Sequence, residues 1–487
     1  MRILKLLSAF LITVILIAAC SSDKPPERLL NAEGYSGQSI VEGEQSPIPI
    51  PSENQSVSEE MPVLPDTDTT PQTTTTSQTT TTQQTTTTPQ TTTTPQTTTT
   101  PQTTTTPQTT TTPQTTTTPQ TTTTPIVTGA YTPLHYSEVR GVWISFIELQ
   151  DAFSGGSEAS FRKNFSDMMD DCKAYGINTV YVHVRAFSDA YYKSELFPWA
   201  RHITGTTGAD PGFDPLKIMI EEAHTRNISF RAWLNPMRIM NDSDIQKFSA
   251  EYPNYPIAKW YRGAENGTYI VKHGDVWYLN PAYAEVRALI TDGAAEILRN
   301  YNVDGIHIDD YFYPPNCGES FDRAAFASSG QTSLSEFRLD NCTKMVQSLY
   351  STVKAANRNV LFGISPQGSI ANCYDIYADV RKWASEPGNC DYIAPQLYYG
   401  FLNAAQPFDR CLNEWEDLVR GGNVRLLIGL AAYKIGEVDA WAGETGKNEW
   451  INSGADIIRR QIELSKTAEN YAGYILFSFR FLKEGLF

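Results

Sequence analysis

The stretch GIHIDDYFYP, residues 305–314, alternates apolar residues and then sets two carboxylates side by side among tyrosines. The alternation predicts a β-strand. Because an unpaired carboxylate is costly to bury, Asp309 and Asp310 should lie where the strand opens into a cleft, or be held there for chemistry. Whether this strand belongs to a repeating pattern decides the fold.

Seven further runs of β-branched and aromatic residues follow the same pattern, and segments of helical period separate them. The eight runs are RGVWISF (140–146), INTVYVHVR (177–185), ISFRAWLNP (228–236), GIHIDDYFY (305–313), VLFGISPQG (360–368), DYIAPQLYY (391–399), RLLIGLAAY (425–433) and GYILFSFRF (473–481). Eight strands alternating with helices predict an α/β protein, a (β/α)8 TIM barrel, over residues 137–487. The sequence ends six residues after the last run, so we expect the barrel to lack its final helix.

A long insertion, residues 240–278, separates the third and fourth strands. Its segment TYIVKHGDVWYLNP predicts a small hairpin that turns at His273 and Gly274. The hairpin could form one wall of a groove, or it could be a surface ornament.

In such a barrel, functional side chains should gather at the carboxyl ends of the strands. The residues there are mostly polar or aromatic, which suits a sugar polymer because sugar rings offer apolar faces and hydroxyl groups. The predicted substrate-binding residues are Trp143, Glu148, Arg185, Asn235, Arg238, Tyr311, Gln367, Gln396, Tyr398 and Tyr399. Two alternatives stay open: the aromatic residues could belong to the core, and the arginines could pair with strand-end acids.

The two aspartates of the fourth strand are the first candidates for catalysis. Side chains alternate along a strand, so Asp309 should share a side with His307, and only one of the two aspartates should face substrate. A glycosidase needs a second carboxyl at a defined separation. The candidate partners are Asp189, Glu148 and, more weakly, Glu319 and Asp375. The simpler alternative is that the aspartate pair caps the loop that follows.

His307 is interpreted as a satisfied interior histidine rather than a metal ligand, because no matching His/Asp cluster appears in the sequence. The seven cysteines include no CxxC pair, which argues against a zinc cluster. Apart from Cys20 their number is even, so disulfides are permitted but not required. The formal charge of −16 argues against a nucleic-acid partner. We therefore predict no metal, no cofactor and no nucleic acid.

The amino terminus, MRILKLLSAFLITVILIAAC, has a basic start, a short apolar core and small residues before Cys20. This pattern predicts an export signal over residues 1–19. IAAC also resembles a bacterial lipobox, which implies that Cys20 becomes the lipidated first residue, anchored to the cell membrane on its extracytoplasmic side. The alternative is an uncleaved anchor helix.

Residues 20–70 and the PQTTTT region at 71–125 have almost nothing apolar to bury, so we expect a disordered tether. PQTTTT repeats six times without interruption from Pro89 to Thr124. At about 3 Å per residue the 54 residues from Pro71 to Thr124 could extend on the order of 160 Å. Such an arm favours a target away from the membrane, for example a cell-wall polymer.

Seven blocks in the barrel region, in this order, resemble the glycosyl-hydrolase-like 10 family. They are RGVWIS, FSDAYYKSELFPWARHITG, RAWLNPMRI, YLNPAYAEVR, VDGIHIDDYFYP, FGISPQG and DYIAPQLYYG. The resemblance implies a barrel glycoside hydrolase of the bacterial envelope that acts on peptidoglycan strands stripped of their peptides. It places Asp309 and Asp310 in the acidic motif of strand four, and Asp189 on a family-like position. One departure is the serine before Asp189, where a glycine is expected.

Strand four also resembles the chitinase motif DGxDxDxE. Asp304, Gly305 and Asp309 fit this motif, but Tyr311 stands where the proton-donating glutamate would be. This departure argues against the acetamide-assisted mechanism of chitinases.

We therefore predict a glycoside hydrolase that cleaves a β-linked glycan, with one of Asp309 and Asp310 as nucleophile or base and the other, or Asp189, as acid. A non-catalytic carbohydrate-binding barrel at the cell wall is the alternative, since the same aromatic side chains would serve it. A metal-dependent polysaccharide deacetylase would require a His/Asp cluster, and the sequence offers none.

Overall fold

A closed barrel of parallel strands forms the centre of the computed structural model, which describes residues 131–482. Its strands are β1 (Val139–Ile144), β2 (Thr179–Arg185), β3 (Ser229–Leu234), β7 (Gly305–Ile308), β8 (Leu361–Ile364), β9 (Tyr392–Ile393), β10 (Arg425–Ala431) and β11 (Tyr471–Phe477). The order around the barrel is β1-β11-β10-β9-β8-β7-β3-β2. Every predicted strand is present, so the predicted TIM barrel is confirmed. The export signal, Cys20, the tether and the PQTTTT region lie outside the described residues.

Helices connect the barrel strands. They are α1 (Phe146–Ala152), α2 (Glu158–Ala174), α3 (Arg201–Thr204), α4 (Pro215–Thr225), α5 (Asp242–Glu251), α6 (Pro256–Arg262), α7 (Ala284–Asn300), α8 (Arg323–Ser329), α9 (Leu334–Ala356), α10 (Ile370–Asp375), α11 (Val380–Ser385), α12 (Phe408–Val419), α13 (Gly443–Gly446), α14 (Glu449–Ser453) and α15 (Asp456–Ser465). The apolar residues of α7 recur every three or four positions, as in Val286, Leu289, Ile290 and Ile297, and all four are buried.

The insertion after β3 forms a separate antiparallel sheet in the order β4-β6-β5, together with α5 and α6. Its strands are β4 (Arg238–Asn241), β5 (Ile270–His273) and β6 (Val276–Leu279). The predicted hairpin is confirmed as β5 and β6, but its turn lies at Gly274 and Asp275, one residue later than expected. The sequence analysis did not predict β4, which ties the hairpin to the end of β3.

Aromatic rings fill the barrel interior, and glycines on neighbouring strands make room for them. A Cβ atom at Gly363 would lie 1.9 Å from the ring of Tyr392, and one at Gly429 would lie 3.1 Å from Trp143. His307 lies between these rings and hydrogen-bonds the indole of Trp143 and the hydroxyl of Tyr392. Burial lowers the pKa of His307 to about 3, so the ring is neutral. The predicted interior histidine is confirmed.

Residues 131–136 pack against the amino-terminal end of the barrel, ahead of the domain start predicted at residue 137. The Tyr131 hydroxyl and the Leu134 N–H donate to the carboxylate of Asp304, which precedes β7. His224 and the N–H of Phe230 bind the second oxygen of the same carboxylate. The segment therefore helps to bury a charged group at the bottom of the barrel.

A single 3-10 turn, Phe479–Phe481, follows β11, and the described residues then end at Leu482. Up to that residue no eighth outer helix is present. Within the described part of the chain the six cysteines are buried and form no disulfide. No helix between residues 131 and 482 is long and apolar enough to cross a bilayer.

Candidate active site

The strand β7 ends at Ile308, one residue before the aspartate pair. Asp309 is 3% exposed and accepts a 3.0 Å hydrogen bond from the indole N–H of Trp233 on the neighbouring strand β3. Trp233 stands opposite His307 in the β3/β7 register. Asp309 therefore lies on the inward side, as the alternation predicted, and it bonds a neighbouring strand.

Asp310 is partly exposed and reaches across the barrel mouth, the opening at the carboxyl ends of the strands. The amide of Gln396, after β9, lies 3.3 Å from Oδ1 of Asp310 and 3.2 Å from the carbonyl of Ser365, after β8. Burial raises the pKa of Asp310, and hydrogen bonds from Gln396 and Gln367 with the charge of Arg238 offset only part of that effect. Asp310 is thus a carboxyl group that holds its proton more tightly than an ordinary aspartate.

Both aspartates therefore contact groups around the mouth, whereas strict strand alternation allowed only one to face it. The physical reason is that regular β geometry ends at Ile308, so the backbone of the pair is free to depart from alternation.

Arg238, the first residue of β4, lies between two aromatic rings at the mouth. Its guanidinium carbon is 4.5 Å from the ring centre of Phe187 and 4.6 Å from that of Tyr311. The hydroxyl of Ser188 donates to the backbone carbonyl of Arg238 at 2.9 Å. The insertion sheet therefore supplies a cation to the mouth, and the loop after β2 fixes its position.

Asp189 shapes that loop. Its carboxylate accepts the backbone N–H groups of Ala186 at 3.2 Å and Phe187 at 3.0 Å, and the residue is 2% exposed. Burial raises the pKa of Asp189 to about 6, against the opposing effect of the two N–H groups. These contacts are those of a loop-forming residue that holds Phe187 beside Arg238, and a direct catalytic role for Asp189 remains a prediction.

Arg185 does not point into the barrel mouth. The β2/β3 register shifts between His183 and Arg185, so that Arg185 stands opposite Leu234. The bulge turns the side chain outward, where it packs over the ring of Phe197 at 4.6 Å and against Gly293 of α7. Strict alternation predicted that the side chain of Arg185 points into the barrel. The structure places it on the outer side instead, away from the mouth where substrate contact was predicted.

Two other predicted binding residues lie below the mouth. Trp143 is 2% exposed, and it packs against Tyr181 and Phe477 inside the barrel. Asn235 is fully buried, and its amide bridges His183 and the carbonyl of Ala186. The alternative interpretation of Trp143 as a core residue is therefore the correct one.

Glu148 is a capping residue at the start of α1. Its carboxylate accepts the N–H of Ser145 at 3.0 Å and the hydroxyls of Ser145 and Ser478, and Nε of Arg480 lies 3.6 Å away. At 4% exposure it joins the ends of β1 and β11. The structure thus assigns it to fold closure, whereas the sequence suggested substrate contact or a second carboxyl.

Tyr398 and Tyr399 are 3% and 6% exposed, so both are buried beside the mouth. The ring of Tyr398 lies 5.9 Å from that of Tyr433 and 6.0 Å from that of Phe477. The predicted residues that remain partly exposed at the mouth are Asp310, Tyr311, Gln367 and Gln396. Phe187 and Trp233 also contribute to the mouth and were not among the predicted residues. The β3/β7 register could have indicated Trp233, since it places that residue opposite His307.

The arrangement offers a carboxyl with a raised pKa, a second carboxyl held by an indole, two amides and a cation. Between residues 131 and 482, no group of three or more His, Cys, Asp and Glu side chains could hold a metal ion. The chemistry available to these described residues is proton transfer and charge stabilisation.

The sequence of this chain is similar to those of known glycosyl hydrolases. The sequence profile of the glycosyl hydrolase-like 10 family matches residues 138–444. Glycosyl hydrolase YngK of Bacillus subtilis (strain 168) is 34% identical over 373 residues, which cover 71% of this chain and 69% of that protein. Glycosyl hydrolase DigH of Escherichia coli (strain K12) is 30% identical over 377 residues, covering 71% and 84%. The glycoside hydrolase domain of PgaB (BpsB) from Bordetella bronchiseptica is 12% identical with a TM-score of 0.46, covering 71% and 94%.

Proposed function

The chain belongs to the glycosyl hydrolase-like 10 family, as the sequence blocks predicted, and from this premise we propose that it cleaves peptide-free peptidoglycan strands outside the cytoplasm. Its relatives YngK and DigH are glycosyl hydrolases, so hydrolysis of glycosidic bonds is the reaction of this barrel. The nature of the glycan and the roles of the individual carboxyl groups are the proposal.

The observation that carries the mechanism is the position of Asp310, a partly exposed carboxyl at the barrel mouth whose pKa is raised by burial. Cleavage of a glycosidic bond requires an acid that protonates the leaving oxygen, and a carboxyl with a raised pKa is suited to that role near neutral pH. Gln396 holds Asp310 and leaves it partly exposed to substrate. Asp310 is therefore the general acid.

Asp309 is the second carboxyl of the mechanism. The indole N–H of Trp233 fixes its orientation. An ionised carboxylate beside the reacting sugar stabilises the positive charge that develops on the ring, and it acts as nucleophile or as base for water. Asp189, by contrast, acts through Phe187 on the position of Arg238.

Arg238 supports the choice of peptide-free strands. Removing the peptide from a muramic acid converts an amide into a free carboxylate, so a stripped strand carries one negative charge per disaccharide. A guanidinium forms strong charge-assisted hydrogen bonds with a carboxylate. Phe187 and Tyr311 hold the guanidinium of Arg238 at the mouth.

Incubating the purified protein with peptide-stripped glycan strands tests the proposal directly. Shorter fragments should appear, and intact peptide-bearing strands should be cleaved more slowly. Arg238→Gln should reduce cleavage of stripped strands more than cleavage of neutral β-linked N-acetylglucosamine oligomers, and Arg238→Lys should retain part of the difference. Binding of stripped strands without cleavage of any β-linked glycan would instead favour the carbohydrate-binding alternative.

We also propose that Cys20 anchors the protein to the extracytoplasmic face of the membrane and that the PQTTTT tether carries the barrel to the wall. The lipobox-like IAAC and the apolar, basic-flanked start support this placement. Cys20→Ser should release the protein from membranes or leave its precursor unprocessed, which fractionation and mass measurement would detect. A variant that stays both processed and membrane-bound would contradict the anchor.

A further inference from the structure

Four large hydrophobic side chains are exposed on the described part of the chain, and all four lie in the two neighbouring connections that follow β9 and β10. They are Leu402 (50% exposed), Val438 (57%), Trp441 (69%) and Ile451 (46%). Leu402 is on the loop after β9, and the other three follow β10, the adjacent barrel strand. We call these four side chains the apolar patch. Exposed hydrophobic groups gathered in one place mark an interaction surface more often than scattered ones.

The backbone beneath the patch is well ordered by hydrogen bonds between the two loops. The N–H of Ala404 donates to the carbonyl of Ala442 at 2.9 Å, which brings the backbone of Leu402 near that of Trp441. Glu449, itself 5% exposed, accepts the N–H groups of Phe401 and Leu402 at 3.1 and 2.8 Å. The exposed side chains are therefore presented by a fixed scaffold.

The patch lies at the same end of the barrel as the site that contains Asp310. Gln396, which contacts Asp310, lies on the same loop as Leu402, six residues earlier in the chain. Both loops leave the carboxyl ends of their strands, so the apolar patch and the barrel mouth belong to the same end of the barrel. A polymer seated at the mouth could therefore run on towards Trp441.

We propose that the apolar patch is a distal glycan-binding subsite, in which Trp441 stacks on a sugar ring of the strand beyond the bond that is cleaved. This inference rests on the proposed function, since it extends the same substrate. An indole face exposed to water is suited to the apolar face of a sugar ring. The consequence is a preference for long strands over short fragments.

Other occupants fit the patch less well. An anionic lipid surface attracts unpaired basic residues, but Lys434 pairs with Asp439 at 2.9 Å and Lys447 with Glu444 at 2.6 Å, and the chain carries a charge of −16. A stable dimer buries roughly 800 Å² on each partner, far more than four side chains provide. A glycan needs only a platform of this size.

The test compares Trp441→Ala with Trp441→Phe on peptide-free strands sorted by length. Trp441→Ala should raise KM for long strands about tenfold, the size expected for one lost aromatic contact. The KM for the shortest cleavable fragment, kcat and the melting temperature should stay unchanged, because the side chain is exposed. Trp441→Phe should stay close to the parent protein, since it keeps a ring.

Equal KM values for Trp441→Ala and the parent protein on long strands would overturn the subsite. An equal loss for Trp441→Ala on long and short fragments would also overturn the subsite. So would a Trp441→Ala variant that loses binding to neutral phosphatidylcholine vesicles instead of binding to glycan, or one whose oligomeric state changes. Failure of the proposed function is a separate result: the parent protein would cleave strands of no length. In that case titration calorimetry with long and short strands still tests the patch, and length-independent binding would refute it.

Discussion

Asp304 and Asp310 lie at opposite ends of the strand β7, and their carboxyl groups have opposite environments. At the bottom of the barrel, burial alone would raise the pKa of Asp304, but the hydrogen bond from His224, the charge of Arg231 and the Tyr131 hydroxyl together lower it. At the mouth, burial raises the pKa of Asp310 and the opposing contacts are too weak to reverse it. The same residue type thus has a lowered pKa at one end and a raised pKa at the other.

The difference places a stabilising carboxylate at one end of β7 and a candidate catalytic carboxyl at the other. A carboxylate that receives hydrogen bonds from several donors stabilises the fold and is closed to substrate. A carboxyl with few donors and partial exposure costs stability but can exchange a proton. In barrels of this type the carboxyl end of the strands serves catalysis and the amino end serves stability. The two aspartates give that rule a local electrostatic basis.

The largest expected effect follows from removing the titrating groups at the mouth. Asp310→Asn keeps the shape of the side chain but cannot donate the proton, so turnover should fall by about 10² to 10⁴. Asp309→Asn should cause a comparable loss. The melting temperature of either variant should change little. Kinetics on stripped strands and thermal unfolding measure both quantities on the same samples.

Asp189→Asn is the matched control for these variants. It also removes a buried carboxylate, but its amide oxygen can still accept the N–H groups of Ala186 and Phe187. We expect less than about a tenfold loss of turnover. If Asp189→Asn lost as much turnover as Asp310→Asn, Asp189 would be the acid and the comparison of the two ends would need revision.

The second expected effect is at the other end of the strand. Asp304→Asn removes the negative charge that His224 and the hydroxyl of Tyr131 bind, and should lower the free energy of unfolding by about 2–4 kcal/mol. Turnover per folded molecule should be retained. Chemical denaturation gives the first quantity and active-site-normalised kinetics the second. A stable but inactive Asp304→Asn protein would contradict the proposal that the amino end of β7 serves stability and the carboxyl end serves catalysis.

The sequence predicted most of the fold because short apolar runs separated by helical segments carry a strong periodic signal. It predicted the position of Asp309 from the same alternation. It could not predict where alternation fails. The bulge between His183 and Arg185 reverses the direction of Arg185, and the early end of β7 at Ile308 lets both aspartates reach the mouth. These are properties of strand pairing, which involve residues distant in sequence.

The sequence also overestimated how many polar strand-end residues face substrate. Glu148 and Asn235 are satisfied by partners on other loops, Ser478 and His183, which no local pattern reveals. Conversely, Arg238 lies between Phe187 and Tyr311 because it begins the strand β4, and no sequence pattern predicted that strand. Contacts between loops decide which side chains remain available at the mouth.

A smaller effect should follow from shortening the chain at the amino-terminal side of the barrel. A protein that begins at Ser137 lacks the Tyr131 hydroxyl and the Leu134 N–H that bind Asp304. It should lose about 1–3 kcal/mol of stability relative to a protein that begins at Ala130. Turnover on soluble fragments should be equal for the two. Equal denaturation midpoints would show that residues 131–136 contribute nothing to the bottom of the barrel.

The smallest effect is a difference in how the two ends respond to pH, and its sign is opposite for the two aspartates. The pKa of Asp304 is lower in the folded protein than in the unfolded chain, where it is about 3.9. Its contribution to stability is therefore present above that value and is lost as the pH falls through the folded pKa.

The pKa of Asp310 is raised, so its contribution is present below about 3.9 and is lost as the pH rises through its folded pKa. Asp310→Asn should thus become more stable relative to the parent protein as the pH rises above about 4. Asp304→Asn should become less stable relative to the parent protein as the pH rises towards about 4 from below, and the difference should then stay constant above that pH. Denaturation midpoints measured on both sides of pH 4 for the three proteins test both signs. Parallel pH profiles for the two variants would mean that the ends of β7 do not differ electrostatically, and the assignment of Asp310 as the acid would lose its basis.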